Sequence, residues 1–288
     1  MLRKGDLTQG GIITTLLQFT LPMLAGSLLQ QCYNIADTLI VGQCIGANAL
    51  AAVGSAYTLM VFLISILLGL SMGSGTVFSL QYGAGDLSAL RRSIYVSLLL
   101  IGTVTILLNV AVFLWLDPIL RWLQVPYDIY SLMRNYLWII FWGIVFTFLY
   151  NFYAALLRAV GDSVTPLWFL AVSVVLNIGL DLFLILVLDQ GIEGAAVATV
   201  IAQGTAASGI LLYTYKTRPE LRLHREDMCF DRSSLREITS FSTLTCVQQS
   251  VMNFGILMVQ GLVNSFGTVV MAAFAAAVKI DSFAYMPV

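Results

Sequence analysis

The sequence predicts an all-α polytopic membrane protein, built as a six-helix lobe plus the first two helices of a second, repeated lobe. Three observations predict it. Only 10% of the 288 residues are charged and 59% are hydrophobic, with a mean hydropathy of +0.90. A soluble domain carries about a quarter charged residues, so most of this surface must face lipid. Eight apolar runs, punctuated by Gly, Pro and charge, each approach the roughly 20 residues that a spanning helix needs. Finally, the stretch from Gly267 echoes the one from Gly46.

The runs lie near 15–41, 49–80, 93–116, 131–157, 164–188, 193–215, 237–264 and 269–288. Ahead of the first, Met1 to Gly11 carries Arg3 and Lys4 but no short apolar core with a cleavage site, which is a cytoplasmic tail and not a removable signal. The Lys/Arg bias of the loops sets the orientation. Arg3, Lys4, Arg91, Arg92, Arg158 and the cluster from Lys216 to Arg236 fall on one side, against Arg121 and Arg134 on the other. The N-terminus is therefore expected in the cytoplasm, with odd-numbered spans running outward.

Residues 216–236 form the one long polar stretch and read as an inter-lobe linker after an N-lobe of 1–215. A second lobe then opens at 237–288. Shifting Gly46 onto Gly267 sets Ala51, Ala52 and Ala56 on Ala272, Ala273 and Ala277. Both copies start on the cytoplasmic side, so the repeat is parallel, as in transporters made of two equivalent halves. On this reading the chain stops inside an apolar run, at Met286-Pro287-Val288, with four helices of the second bundle still to come.

Composition also excludes function classes. A net charge of −1 without a basic stripe gives no nucleic-acid footprint. The four cysteines show no CxxC spacing and the only histidine, His224, sits in the polar stretch, so neither a haem, zinc nor copper site nor an enzyme built on one is expected. No cofactor is expected.

Polar groups inside the spans carry the functional signal. Charge at mid-bilayer costs about 3 kcal/mol or more, yet Asp37, Asp181, Lys279 and Asp281 lie within apolar runs. Asn177 shares a helix face with Asp181, four residues on. Counting depth along the alternating spans brings Asp37, Tyr136, Asn177, Asp181 and Thr199 to one level in the outer half of the bilayer. A shared polar pocket accounts for this, although the three neutral residues also suit plain helix–helix hydrogen bonding. Two carboxylates in a desolvated pocket disfavour each other's charge, so the pair can take up a proton or hold a small cation. Pro22 interrupts the ladder of span 1, as a hinge or as a static kink. Gln30, Gln31, Asn34 and Lys279 are candidates for a substrate cleft, and Lys279 could equally pair with an acid elsewhere.

The segments "LPMLAGSLLQQCYNIADTLIVG", "GANALAAVGSA", "LRAVGDSVTPL", "LNIGLDLFLI", "GIEGAAVATVIAQ" and "AAAVKIDSFAYMP" occur in this order along the whole chain. Together they resemble the MATE (multidrug and toxin extrusion) family. The resemblance implies a twelve-helix fold of two six-helix lobes around a cleft that alternates between the two membrane faces. It implies that Asp37, Asn177, Asp181, Thr199 and Tyr136 correspond to the cation- or proton-binding network of the DinF-like branch, with Na⁺ taken by the first four, and that Pro22 is the point where span 1 bends. Arg158, Gly161, Asp162 and Pro166 match a structural cytoplasmic loop. The implied activity is secondary antiport: inward H⁺ or Na⁺ drives export of organic, cationic, amphipathic compounds from a bacterial plasma membrane, by a protein acting as a monomer. A flippase for lipid-linked saccharides shares the wider architecture, but calls for a cleft rich in Arg and Lys.

Overall fold

The structure is a computed structural model that describes residues 12–228 and 231–284, with side chains from 17 to 278. It is helical, with no strand among the described residues. The helices are α1 (Ile12–Cys44), α2 (Ala47–Gly83), α3 (Leu87–Trp122), α4 (Tyr127–Trp142), α5 (Ile144–Ala159), α6 (Val164–Leu182), α7 (Gly191–Thr217), α8 (Arg232–Asn264) and α9 (Thr268–Ala284). Every apolar run falls on helix among the described residues. Five of them (α2, α3, α6, α7 and α8) are long and apolar enough to cross a membrane, and α4 with α5 makes a sixth, bent span. Helix α1 has the length, but its polar stretch around Gln30–Asp37 dilutes its apolar character.

Three departures from the expected spans have local causes. The run 131–157 is not one helix: it bends by 48° between Trp142 and Ile144. A Cβ on Gly143 would lie 2.8 Å from Val200 Cγ2, so only glycine admits this approach of the chain to α7. The break frees a carbonyl, and Asn109 of α3 donates to it, Nδ2 to Phe141 O at 3.0 Å. That is how irregular backbone survives at membrane depth. The second departure is in α3, which continues past 116 through Pro118 to Trp122. Pro118 cannot donate to its partner one turn back, and Trp115 (φ −113, ψ 16) absorbs the kink. In the third, α6 passes into a π-turn over Phe183–Val187, closed by Leu188 N donating to Phe183 O at 3.1 Å. This wide turn begins two residues after Asp181.

Helix α2 is the mast of the bundle, touching α1, α3, α4, α5, α8 and α9. Its longest contact is with α8, and small residues make it possible. A Cβ on Gly69 would sit 2.4 Å from Cys246 Cα, and one on Gly73 2.3 Å from Ser242 Cα. Ser242 Oγ donates to Leu70 O at 3.1 Å across the same seam. This is the small-xxx-small packing of membrane helices, where backbones meet because no side chain holds them apart. At the other end of the seam Asn264 donates to Ser55 Oγ (3.1 Å) and to Leu123 O (2.8 Å), while Thr58 donates to Gln260 Oε1 (3.2 Å).

The two glycines that lead the similar stretches share a backbone conformation. Gly46 (φ 114) and Gly267 (φ 91) both stand in the short turn before a helix, in a region that L side chains rarely adopt. The polar stretch after α7 is ordered by two 3₁₀ turns, Pro219–Leu221 and Arg225–Asp227, and α8 takes over from Arg232. Arg91 Nε donates to Asp227 Oδ2 at 2.8 Å and Arg218 reaches Asp162 at 3.1 Å, so the segment is pinned to α3 and to the loop before α6. Residues 285–288, the end of the expected last span, lie outside the described residues.

Candidate functional site

A cavity of about 540 Å³ opens among α1, α2, α5, α6 and α7. Its α1 wall carries the polar residues that made this helix unusual for lipid: Gln30, Gln31, Asn34 and Asp37, with Pro22 at the far end. Asn34 is 8% exposed and donates through Nδ2 to Gln31 Oε1 (3.2 Å) and to Tyr57 OH of α2 (3.4 Å), which holds the α1 face against α2. Pro22 lies within a continuous α1, between Ile12 and Cys44.

Asp37, Tyr136 and Thr199 all line this cavity. Asn177 lines a smaller pocket of about 120 Å³ behind it, and Thr199 and Tyr33 belong to the wall the two share. Asp181 lies deeper still, with no solvent exposure. The amide orientation of Asn177 that serves both its ends lets Nδ2 donate to Asp181 Oδ2 at 2.9 Å, while the amide oxygen accepts from Thr199 N at 3.1 Å. Asp181 Oδ1 is buried and has no hydrogen-bond partner. Tyr33 OH approaches Thr199 Oγ1 at 3.5 Å. Asp37 and Asp181 are close enough for their charges to interact with each other and with Tyr33 and Tyr136. The five residues expected at one depth thus form one cluster, on α1, α4, α6 and α7.

Several cavity residues were not foreseen. Tyr33 stands one turn before Asp37 on the same face, a spacing that could have flagged it. Thr147 of α5 donates to Gln203 Oε1 of α7, and Asn151 Nδ2 donates to Thr147 O at 2.8 Å. Neutral polar residues like these carry no signal in sequence that separates a cavity from packing. Arg158 is a correction: read as a cytoplasmic loop residue, it belongs to the last turn of α5 and lines the cavity. The helix runs two residues further than its apolar stretch, to Ala159. Asp162, from the same motif, is structural as read. It accepts from Thr165 N at 3.0 Å, fastening the first turn of α6, and from Arg218. Lys279 lies in α9, with its side chain outside the described residues.

Many helices around a polar cavity, with irregular backbone only where protein covers it, make the architecture of a membrane transporter. The sequence profile of the MatE family matches residues 22–183. The chain belongs to the MatE family, whose members are transporters and not enzymes.

The curated relatives agree. The probable multidrug resistance protein YpnP of Bacillus subtilis is 34% identical over 282 residues, covering 98% of this chain and 63% of its own length. The multidrug export protein MepA of Staphylococcus aureus is 27% identical over 280 residues, 94% of this chain and 60% of its own. The chain thus spans about three fifths of the length of these relatives. Among solved structures, the Vibrio cholerae MATE transporter VcmN in its bent form superposes with a TM-score of 0.80 at 26% identity, over 95% of this chain and 62% of that one. An inward-facing multidrug resistance MATE transporter gives 0.80 at 23% identity, over 92% and 61%, and thereby shows the fold.

Proposed function

We propose that this chain forms the ion-coupled part of a multidrug antiporter of the DinF-like branch, in which inward H⁺ or Na⁺ drives export of organic, cationic, amphipathic compounds by alternating access. Residues 1–215 form the first lobe, 216–236 the linker and 237–288 the opening of the second. The N-terminus is cytoplasmic, in a bacterial plasma membrane. Asp37, Asn177, Asp181 and Thr199 hold the coupling ion beside Tyr136. Pro22 is the hinge, and Gln30, Gln31 and Asn34 face the exported compound, with Lys279 a further candidate.

Asp181 carries this reading. It is fully buried, one carboxylate oxygen is held by Asn177, and the other has no partner. An ionised carboxylate in a dry site needs a counter-charge or a full set of donors, and a proton or Na⁺ supplies what the helices do not. Asp37, which lines the cavity, lies within electrostatic reach. A proton or cation that binds the pair better in one arrangement of α1 against α6 and α7 biases the bundle toward that arrangement, because a ligand shifts two states only through differential affinity. The flippase alternative calls for several cationic groups toward a diphosphate, whereas Arg158 is the only one among the described residues lining the cavity.

The test is dye efflux from proteoliposomes holding the complete gene product, under imposed H⁺ and Na⁺ gradients. Asp37→Asn and Asp181→Asn keep the shape and remove the charge, so both variants stay folded and lose gradient-driven efflux. Gradient-driven efflux that survives in both folded variants makes these aspartates structural.

A further inference from the structure

The charges of the cavity are segregated. Asp37 and Arg158 are the only charged residues among the described residues lining it, and they stand at opposite ends. Asp37 belongs to the level of Tyr33 and Thr199. Arg158 is eleven residues beyond Thr147 on α5, about 16 Å at 1.5 Å per residue, and Thr147 is already one turn of α7 inward of Thr199 through its bond to Gln203. The α1 residue Pro22 and the start of α6, Ser163 and Pro166, close this inner end.

The guanidinium of Arg158 makes no hydrogen bond or ion pair with any described residue. The nearest acid in sequence, Asp162, is turned to Arg218 and Thr165. Tyr150, the aromatic neighbour, gives its hydroxyl proton to Pro166 O at 3.1 Å. Ser163, 6% exposed and at the N-cap of α6, caps no amide of that helix, and its hydroxyl donates to no other group among the described residues. A guanidinium and a hydroxyl, both lining a cavity and both without a partner among the described residues, beside the positive end of a 19-residue helix, form an acceptor-seeking corner.

We infer that Arg158 and Ser163 form an anion-recognition subsite at the inner end of the cavity, and that the compounds it takes include amphipathic molecules bearing a carboxylate or another single anionic group. The inference rests on the exporter reading for the cavity and adds a substrate class to it. Arg158 is a specificity residue: it binds the anionic group of the solute and takes no part in holding the coupling ion some 16 Å or more away along α5. The chemistry is shared by an anionic lipid headgroup, so the test excludes lipid.

The measurement is equilibrium binding, by fluorescence anisotropy, of rhodamine 110 (a free carboxylate) and rhodamine 123 (its methyl ester) to the complete gene product in a neutral detergent without added lipid. The two dyes share ring system and size. Wild type binds the acid in preference to the ester. Arg158→Gln loses that preference, by about tenfold to a hundredfold in the acid-to-ester ratio, as expected for a charge-assisted hydrogen bond. Arg158→Lys keeps part of it and Ser163→Ala loses a smaller part. No preference in wild type, or a preference that survives Arg158→Gln in folded protein, overturns the inference. Failure of the exporter reading shows elsewhere, as absence of gradient-driven efflux of either dye from proteoliposomes.

Discussion

At the scale of the residue, the pair Asn177 and Tyr33 separates strong from weak support in the polar cluster. Asn177 supplies the one donor that Asp181 has and also accepts from Thr199 N. Asn177→Ala leaves a buried carboxylate oxygen bare, at a cost of about 1–3 kcal/mol. Tyr33 touches Thr199 at 3.5 Å, the outer limit of a useful hydrogen bond, so Tyr33→Phe costs little. Thermal denaturation in detergent should show a clear drop for the first variant and almost none for the second, and equal losses would mean that Asn177 does not hold Asp181. The sequence made Asp37, Tyr136, Asn177, Asp181 and Thr199 visible because charge in an apolar run is expensive and because alternating spans give each residue a depth. Tyr57, Thr147, Asn151 and Gln203 stayed hidden, since a neutral polar side chain in a membrane helix is equally at home between two helices. Arg158 was hidden differently: its cost is low at a helix end, so nothing in the pattern pointed inward.

At the scale of the element, hydropathy located every helix and missed how two of them are interrupted. The bend at Gly143 depends on the approach of Val200, 57 residues away in α7, and no local pattern encodes it. Pro118 was visible, but a proline near a helix end reads as a stop, and only the packed structure lets α3 kink and continue. The seam between α2 and α8 gives the sharpest prediction at this level. Gly69→Ala and Gly73→Ala each drive a Cβ within 2.5 Å of the α8 backbone, which cannot yield as a side-chain tip does. Each should cost about 1–3 kcal/mol by overpacking. Gly83→Ala has nothing within 4 Å of the new atom and should be neutral or slightly stabilising. Melting temperatures of the three variants decide it, and a Gly69→Ala as stable as Gly83→Ala would mean that the seam is looser than described.

At the scale of the whole molecule, the loop-charge bias predicts one arrangement in the membrane. In a background without native cysteines, Glu226→Cys in the pinned linker should react with an impermeant maleimide only from the cytoplasm, and Gln190→Cys, before α7, only from outside. The reverse pattern overturns the orientation and with it the depth argument for the cluster. The two-lobe reading rests on the linker that interrupts the hydropathy and on the glycine-led motif that recurs after it. The tightness of the join between α2 and α8 was not legible, because glycine and serine in a run of leucines look like ordinary apolar filler. That join has a consequence for how the protein is made. Helix α2 leaves the ribosome about 180 residues before the end of α8, roughly 10–40 s earlier at ~5–20 residues per second. During that interval its glycine-lined face has only lipid to lie against, which its apolar character permits. Helix α8 is the least apolar of the five clear spans, with Asn253, Gln260 and Asn264 buried in the finished bundle. Its insertion is therefore best served by a groove that is already waiting. Helix α2 thus stands ready before α8, the helix that packs along it, has been made, and the order of synthesis matches the order in which the seam needs its two sides.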